Sequence, residues 1–307
     1  MGRRTRGSLW SRSFSRPSAI PHPSEEAAMR VRPRILPPGW YPASKDRCLS
    51  DIQEYVSGIK PLPAGTKVFG GMVPHAGWYF SGRLAAQVFC LAAQNAQPEV
   101  VALFGGHLGS GPPLLVEDEA WETPLGEVPL ATEFYRPLSS RLTLTPEYPG
   151  DNTIEVNLPF VRHFFPRSRV LAIRSPQNQE AILLGEAVVE VALELGKSIL
   201  LFGSADLTHY GPNYGWAPKG FGAAAVKWVK EVNDKRFLEA VLHLDAPGAL
   251  RAANQDQSSC SAGAPAAAIA GAKKLGAAKA VLVDYYTSYD VMPGDSFVGY
   301  GGVLFTG

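Results

Sequence analysis

Val68-Phe69-Gly70-Gly71-Met72-Val73-Pro74-His75-Ala76-Gly77-Trp78-Tyr79 is the stretch whose reading decides the fold. It begins as an apolar run without polar alternation, which suits a strand covered on both faces. It breaks at Pro74, passes a histidine among small residues, and enters an Ala- and Leu-rich helical pattern over Ser81–Gln94. The same grammar recurs. Buried-strand runs stand at residues 100–104, 169–173, 198–202 and 279–283. Helical patterns are expected over Asp46–Ile59, Gln179–Leu195, Ala223–Val232, Lys235–Leu242 and Ala264–Leu275. Residues 297–305 read as a closing strand with a glycine-rich bend. Alternating strands and helices predict a single α/β domain with a largely parallel central sheet flanked by helices.

Residues 35–307 are taken as that domain. Residues 1–34 hold eight Arg against two acids, Glu25 and Glu26. They lack the apolar stretch of a secretory signal and read as a disordered or mis-started extension, though Arg and Ser with little acid would also suit a transit peptide. The remainder carries a net charge of about −5, so no basic excess favours nucleic acid. No uncharged apolar run reaches the ~18 residues of a membrane span. A cytoplasmic location is expected.

The reactive inventory is short: three Cys and six His. An odd number of widely spaced Cys supplies neither a disulfide framework nor a CxxC zinc module. In an open α/β sheet, sites form beyond the carboxyl ends of the strands. His75, His107 and His209 each follow such an end, flanked by Gly or other small residues. Cys260 lies in a small-residue turn before the 264–275 helix, where unpaired N–H groups favour a thiolate. A buried packing cysteine is an equal alternative there. Cys48 and Cys90 fall inside helical patterns and read as packing residues. His163 and His243 read as structural and His22 as part of the tail. Asn152 or Thr153 is expected to cap a short helix, with Glu155 in its first turn or facing a cleft. GxGxxG, GxxxxGK[ST] and GxSxG motifs are absent, so a nucleotide cofactor or a nucleophile elbow has no support.

Eight segments then occur in order: Pro37–Pro42, Val73–Gly82, Phe104–His107, Glu122–Gly126, Asn152–Phe160, Ser204–Gly211, Cys260–Gly263 and Ser296–Tyr300. Together they resemble the MEMO family, termed AmmeMemoRadiSam system protein B in prokaryotes, over residues 36–306. The resemblance implies a fold similar to the class III extradiol nonheme-iron dioxygenases. It implies a metal site on His75, His107 and Cys260, with Asp206 and His209 beside it to orient ligands or move protons. Such a His₂Cys set suits copper, iron or zinc. The family's usual His at positions 152 and 157 is Asn in both cases here, and the usual Gly after the Cys is Ser261. Two functional classes follow. One is a metal-dependent redox protein or oxidoreductase, dioxygenase-like. The other is a non-catalytic module whose cleft, with Asn152 and Glu155, takes a peptide, a small molecule or a radical-SAM system partner. Acyl transfer by Cys260 with His209 as base is a third reading, without a visible oxyanion motif.

Overall fold

A computed structural model describes residues 29–307. Its central sheet has nine strands. Four parallel strands form the heart, in the spatial order Val68–Val73, Ile199–Ser204, Val100–Leu108 and Arg169–Pro176. The apolar runs are continuous because both faces are covered. Val100, Ala102 and Phe104 enter one core, against the helices Glu180–Glu194 and Gly263–Lys274. Val101 and Leu103 enter the other, against Trp78–Asn95. Each large side chain so buried stabilises the fold by roughly 1.5–3 kcal/mol.

Antiparallel strands finish both edges. Phe297–Thr306 pairs with Val68–Val73, and both Lys279–Thr287 and His209–Tyr210 pair with Phe297–Thr306. Leu114–Leu115 closes the far side against Arg169–Pro176, followed by Thr145–Pro146. Among the described residues no helix is long and apolar enough to cross a membrane.

Several expectations need correction. Lys279–Thr287 is an edge strand with Val281 and Leu282 exposed, because it pairs on one side and its register shifts near Val283. Phe297–Thr306 is one continuous strand whose pairing shifts register between Phe305 and Thr306. Its glycines make room for neighbours, and a Cβ on Gly299 would stand 2.0 Å from Asp234 Oδ2. The first long helix spans Lys45–Tyr55 and stops short of Ile59, with Gly58 turning the chain at φ 73°. Ala223–Trp228 does not run on regularly to Val232: a wide π turn, Val229–Asn233, joins it to Asp234–Leu242. That turn places Asn233 and Asp234 together against Thr208.

Residues 1–28, with His22, lie outside the described residues. Residues 29–34, assigned from sequence to the extension, take part in the fold. Val31–Arg32 pairs in parallel with Ala120–Trp121, which in turn pairs with Val128–Pro129.

The parallel strands all end on the same side of the sheet. Two glycines there let another chain segment come down onto the strand ends. A Cβ on Gly106 would stand 1.8 Å from Ser261 Cβ, and one on Gly203 would stand 2.4 Å from Pro265 N. The turn bearing Cys260 is therefore seated directly on two strands, where a side chain would hold it away.

Candidate metal centre

His75 lies two residues past its strand, and its ring is almost fully buried. Its backbone N–H donates to Asp206 Oδ1 at 2.7 Å. Its Nδ1 lies 3.1 Å from Ser204 Oγ. Ser204 has one hydroxyl proton and gives it to Thr153 O at 2.6 Å. Ser204 can therefore only accept from the imidazole, which fixes a proton on His75 Nδ1 and leaves Nε2 as the atom that can bind a metal. Asn157 Nδ2 donates to the same hydroxyl oxygen at 3.2 Å and to Pro74 O.

His107 belongs to the last turn of its strand and adopts φ 58°, a conformation that disfavours side chains. Its Nδ1 lies 3.0 Å from Asp151 Oδ2. Burial alone would raise the Asp151 carboxyl, but His107, Thr153 and Arg174 hold it below the usual carboxylate range, so it accepts. His107 thus also holds a proton on Nδ1, which leaves Nε2 as the atom that can turn to a metal. For His107 itself burial favours neutrality, yet Asp151 and the Cys260 thiolate push it up to about 10.

Cys260 completes the cluster. Its backbone N–H donates to Asp206 O at 3.3 Å, and Ser259 Oγ donates to the same carbonyl. Its Sγ is 3.2 Å from His75 Nε2. Burial would raise the thiol, but His75, His107 and His209 hold it well below the ordinary range. One nitrogen from each of His75 and His107 and the Cys260 sulfur all lie within 4.8 Å of one another. Once a metal displaces the Nε2 protons, two imidazole lone pairs and a thiolate form a donor set that could hold a transition metal.

Asp206 and His209 flank the cluster. Burial raises the Asp206 carboxyl, and its Oδ2 stands 3.9 Å from His75 Nε2. His209 Nε2 is buried with no hydrogen-bond partner among the described residues, and its ring packs against Tyr214 at 4.8 Å. Two clefts meet here. One, of about 420 Å³, exposes His75, His107, Asn152 and Asp206 beneath Trp40 and Tyr300. The other, of about 430 Å³, reaches Cys260 past Gln257 and Trp216. His209 and Tyr214 line both.

Not every sequence candidate belongs to the centre. Asn152 lines the first cleft, with Nδ2 donating to His75 O at 3.1 Å. Glu155 does not face a cleft. It is buried and accepts from Ile35 N, Leu36 N and the Tyr41 hydroxyl, pinning the N-terminal arm. The helix cap is Asp151, not Asn152 or Thr153. Cys48 and Cys90 are buried in helices, while His163 and His243 are exposed. Sequence reasoning passed over Asp151, Ser204 and Arg174. Asp151 had a signal, since an acid two residues before Thr153 suits a side-chain cap.

A family model described as Memo-like protein matches residues 34–304. A MEMO1 family protein of Thermococcus onnurineus is 31% identical, covering 90% of this chain and 99% of its own length. One from Methanosarcina acetivorans is 32% identical, covering 90% and 99%. A solved structure, an uncharacterized protein of Escherichia coli K12, aligns over 72% of this chain at 11% identity with a TM-score of 0.44, too loose a match to add to the fold described above.

Proposed function

The chain belongs to the Memo-like family, and from that premise we propose that it is a metal-dependent oxidoreductase whose copper or iron is held by His75 Nε2, His107 Nε2 and Cys260 Sγ. One observation carries this reading. Three donor atoms from distant parts of the chain converge within 4.8 Å, and each histidine has its other nitrogen already engaged. A soft thiolate beside two imidazoles favours copper, iron or zinc over calcium or magnesium, and a redox role selects copper or iron.

The bound metal would supply one-electron chemistry, and the surrounding residues handle binding and protons. Asp206 Oδ2 and His209 Nε2 are the titratable atoms beside the centre without a structural hydrogen bond, so they are the proposed proton holders. Asn152 and Asn157 have no proton to exchange, and both use their amides to fix backbone and Ser204. Trp40, Phe80 and Tyr300 would exclude water from a small molecule or peptide end lying in the first cleft. A radical-SAM partner protein belongs to the same proposal as a source or acceptor of electrons.

Metal analysis after anaerobic reconstitution tests it. The wild type should hold close to one equivalent of metal and Cys260→Ser far less. Equal content in the two proteins, or none in the wild type, overturns the proposal.

A further inference from the structure

His107 is the least firmly seated of the three donors. Its side chain is 36% exposed where that of His75 is 2% exposed, and its backbone sits at φ 58°. Something must hold that conformation. Arg174, on the neighbouring strand, reaches across with a buried guanidinium. Its Nε donates to Gly106 O at 3.0 Å, and its Nη2 lies 3.5 Å from His107 O and 3.4 Å from Asp151 Oδ2. One planar group therefore touches the carbonyl before His107, the carbonyl of His107, and the carboxylate that fixes its ring.

The contact does not end there. Arg174 Nη1 lies 3.5 Å from Glu147 Oε1, and the other oxygen of Glu147 pairs with Arg32. Arg32 in turn meets Asp118 at 2.8 Å and covers the face of Trp121. Glu147, Arg174 and Asp151 side chains are 3–6% exposed and Arg32 8%. The carboxylate directly behind the His107 ring is Asp151, held between that ring and Arg174, and its charge favours a cation at Nε2.

We propose that Arg174 is a positioning residue for His107, and that Arg32 on the N-terminal strand backs it through Glu147. This rests on the metal assignment above and extends it: the Val31–Arg32 strand is part of the assembly of the centre although it touches no donor. A lysine at 174 keeps the charge but cannot present the fork of donors that spans Gly106, His107 and Asp151.

Cobalt(II) binding, read by competition titration and by visible absorption, tests this, with thermal melting as the control for folding. Arg174→Lys should weaken cobalt binding about 10- to 100-fold. It should also move the cobalt spectrum toward that of His107→Ala. In a His107→Ala background the same change should cost little more, because its effect passes through that ring. Arg32→Lys should give a smaller loss in the same direction, and it decides the matter should Arg174→Lys not fold. An unchanged affinity and spectrum in the folded lysine variants, or an equal loss with and without His107, overturns the inference. Failure of the metal assignment looks different: the wild type takes up no cobalt, or Cys260→Ser binds it equally well.

Discussion

His107 gives its Nδ1 proton to Asp151 across 3.0 Å, and the other oxygen of the same carboxylate accepts from Thr153 N at the start of a helix. One side chain thus sets both a helix end and the direction in which an imidazole lone pair points. The two duties can be separated, because Asn caps helices about as well as Asp but offers no carboxylate to imidazole. Asp151→Asn keeps the cap but loses the buried ion pair with Arg174, and should cost about 3 kcal/mol of stability. Metal affinity, measured by chelator competition, should fall about 10-fold or more.

Ser204 does for His75 without charge what Asp151 does with it. Ser204→Ala removes the acceptor for Nδ1–H, so both imidazole tautomers become accessible. The expected outcome is a mixed tautomer signal for His75 in nitrogen NMR and about a 10-fold weaker metal site. A single, unchanged tautomer would show that Ser204 is only a packing residue.

Thiol chemistry should single out Cys260. Burial pushes the Cys48 thiol up to about 11 and raises Cys90, while the surrounding imidazoles hold Cys260 low. At pH 7 the metal-free protein should be alkylated by iodoacetamide at Cys260 first, as mapped by peptide mass spectrometry. Added metal should slow that labelling and a chelator should restore it.

Asp234 predicts a pH-dependent stability. Burial raises its carboxyl to about 6, against hydrogen bonds from Thr208 and Tyr285 that pull the other way. The folded state then binds a proton between about pH 4 and 6 that the unfolded state has released. This contribution is complete below pH 4 and is lost as pH rises through 6. Urea midpoints of wild type and Asp234→Asn, taken from pH 4 to 7, should differ in slope, by on the order of 1–3 kcal/mol across the range. Parallel curves would refute the assignment.

Glu155 anchors the N-terminal arm through two backbone amides and a phenol. Glu155→Ala leaves those half-buried amides and the buried Tyr41 hydroxyl unmatched and should cost about 2–4 kcal/mol. Hydrogen exchange at the Ile35 and Leu36 amides should accelerate before that of the sheet.

The contrast between Glu155 and His75 shows what the sequence can reveal. His75 and His107 could be found because a strand followed by a small-residue turn says where a chain ends up in a parallel sheet, whereas Cys260, which follows a helix, joined them only through the family resemblance. The α/β alternation was legible for the same reason: continuous apolar runs need cover on two faces. What holds those donors was not legible. Ser204 meets His75 across 129 positions, Asn157 meets Pro74 across 83, and Arg174 meets His107 across 67, with no spacing rule to join them. Glu155 looked like any acid in a first helical turn, because its partners are main-chain amides that the sequence does not display. The role of Gly299 was hidden likewise, since the glycine makes room for Asp234, a residue 65 positions earlier.

For the proposed oxidoreductase, the two clefts that share His209 and Tyr214 would bear on the order in which reactants enter. One opens on the imidazoles and the other on the sulfur, so an occupant of the first does not bar a visitor arriving by the second. Two reactants can then be present together and arrive in either sequence. Dead-end analogues of each reactant should each be competitive against that reactant and noncompetitive against the other, as random entry requires; an uncompetitive pattern would mark an obligatory order.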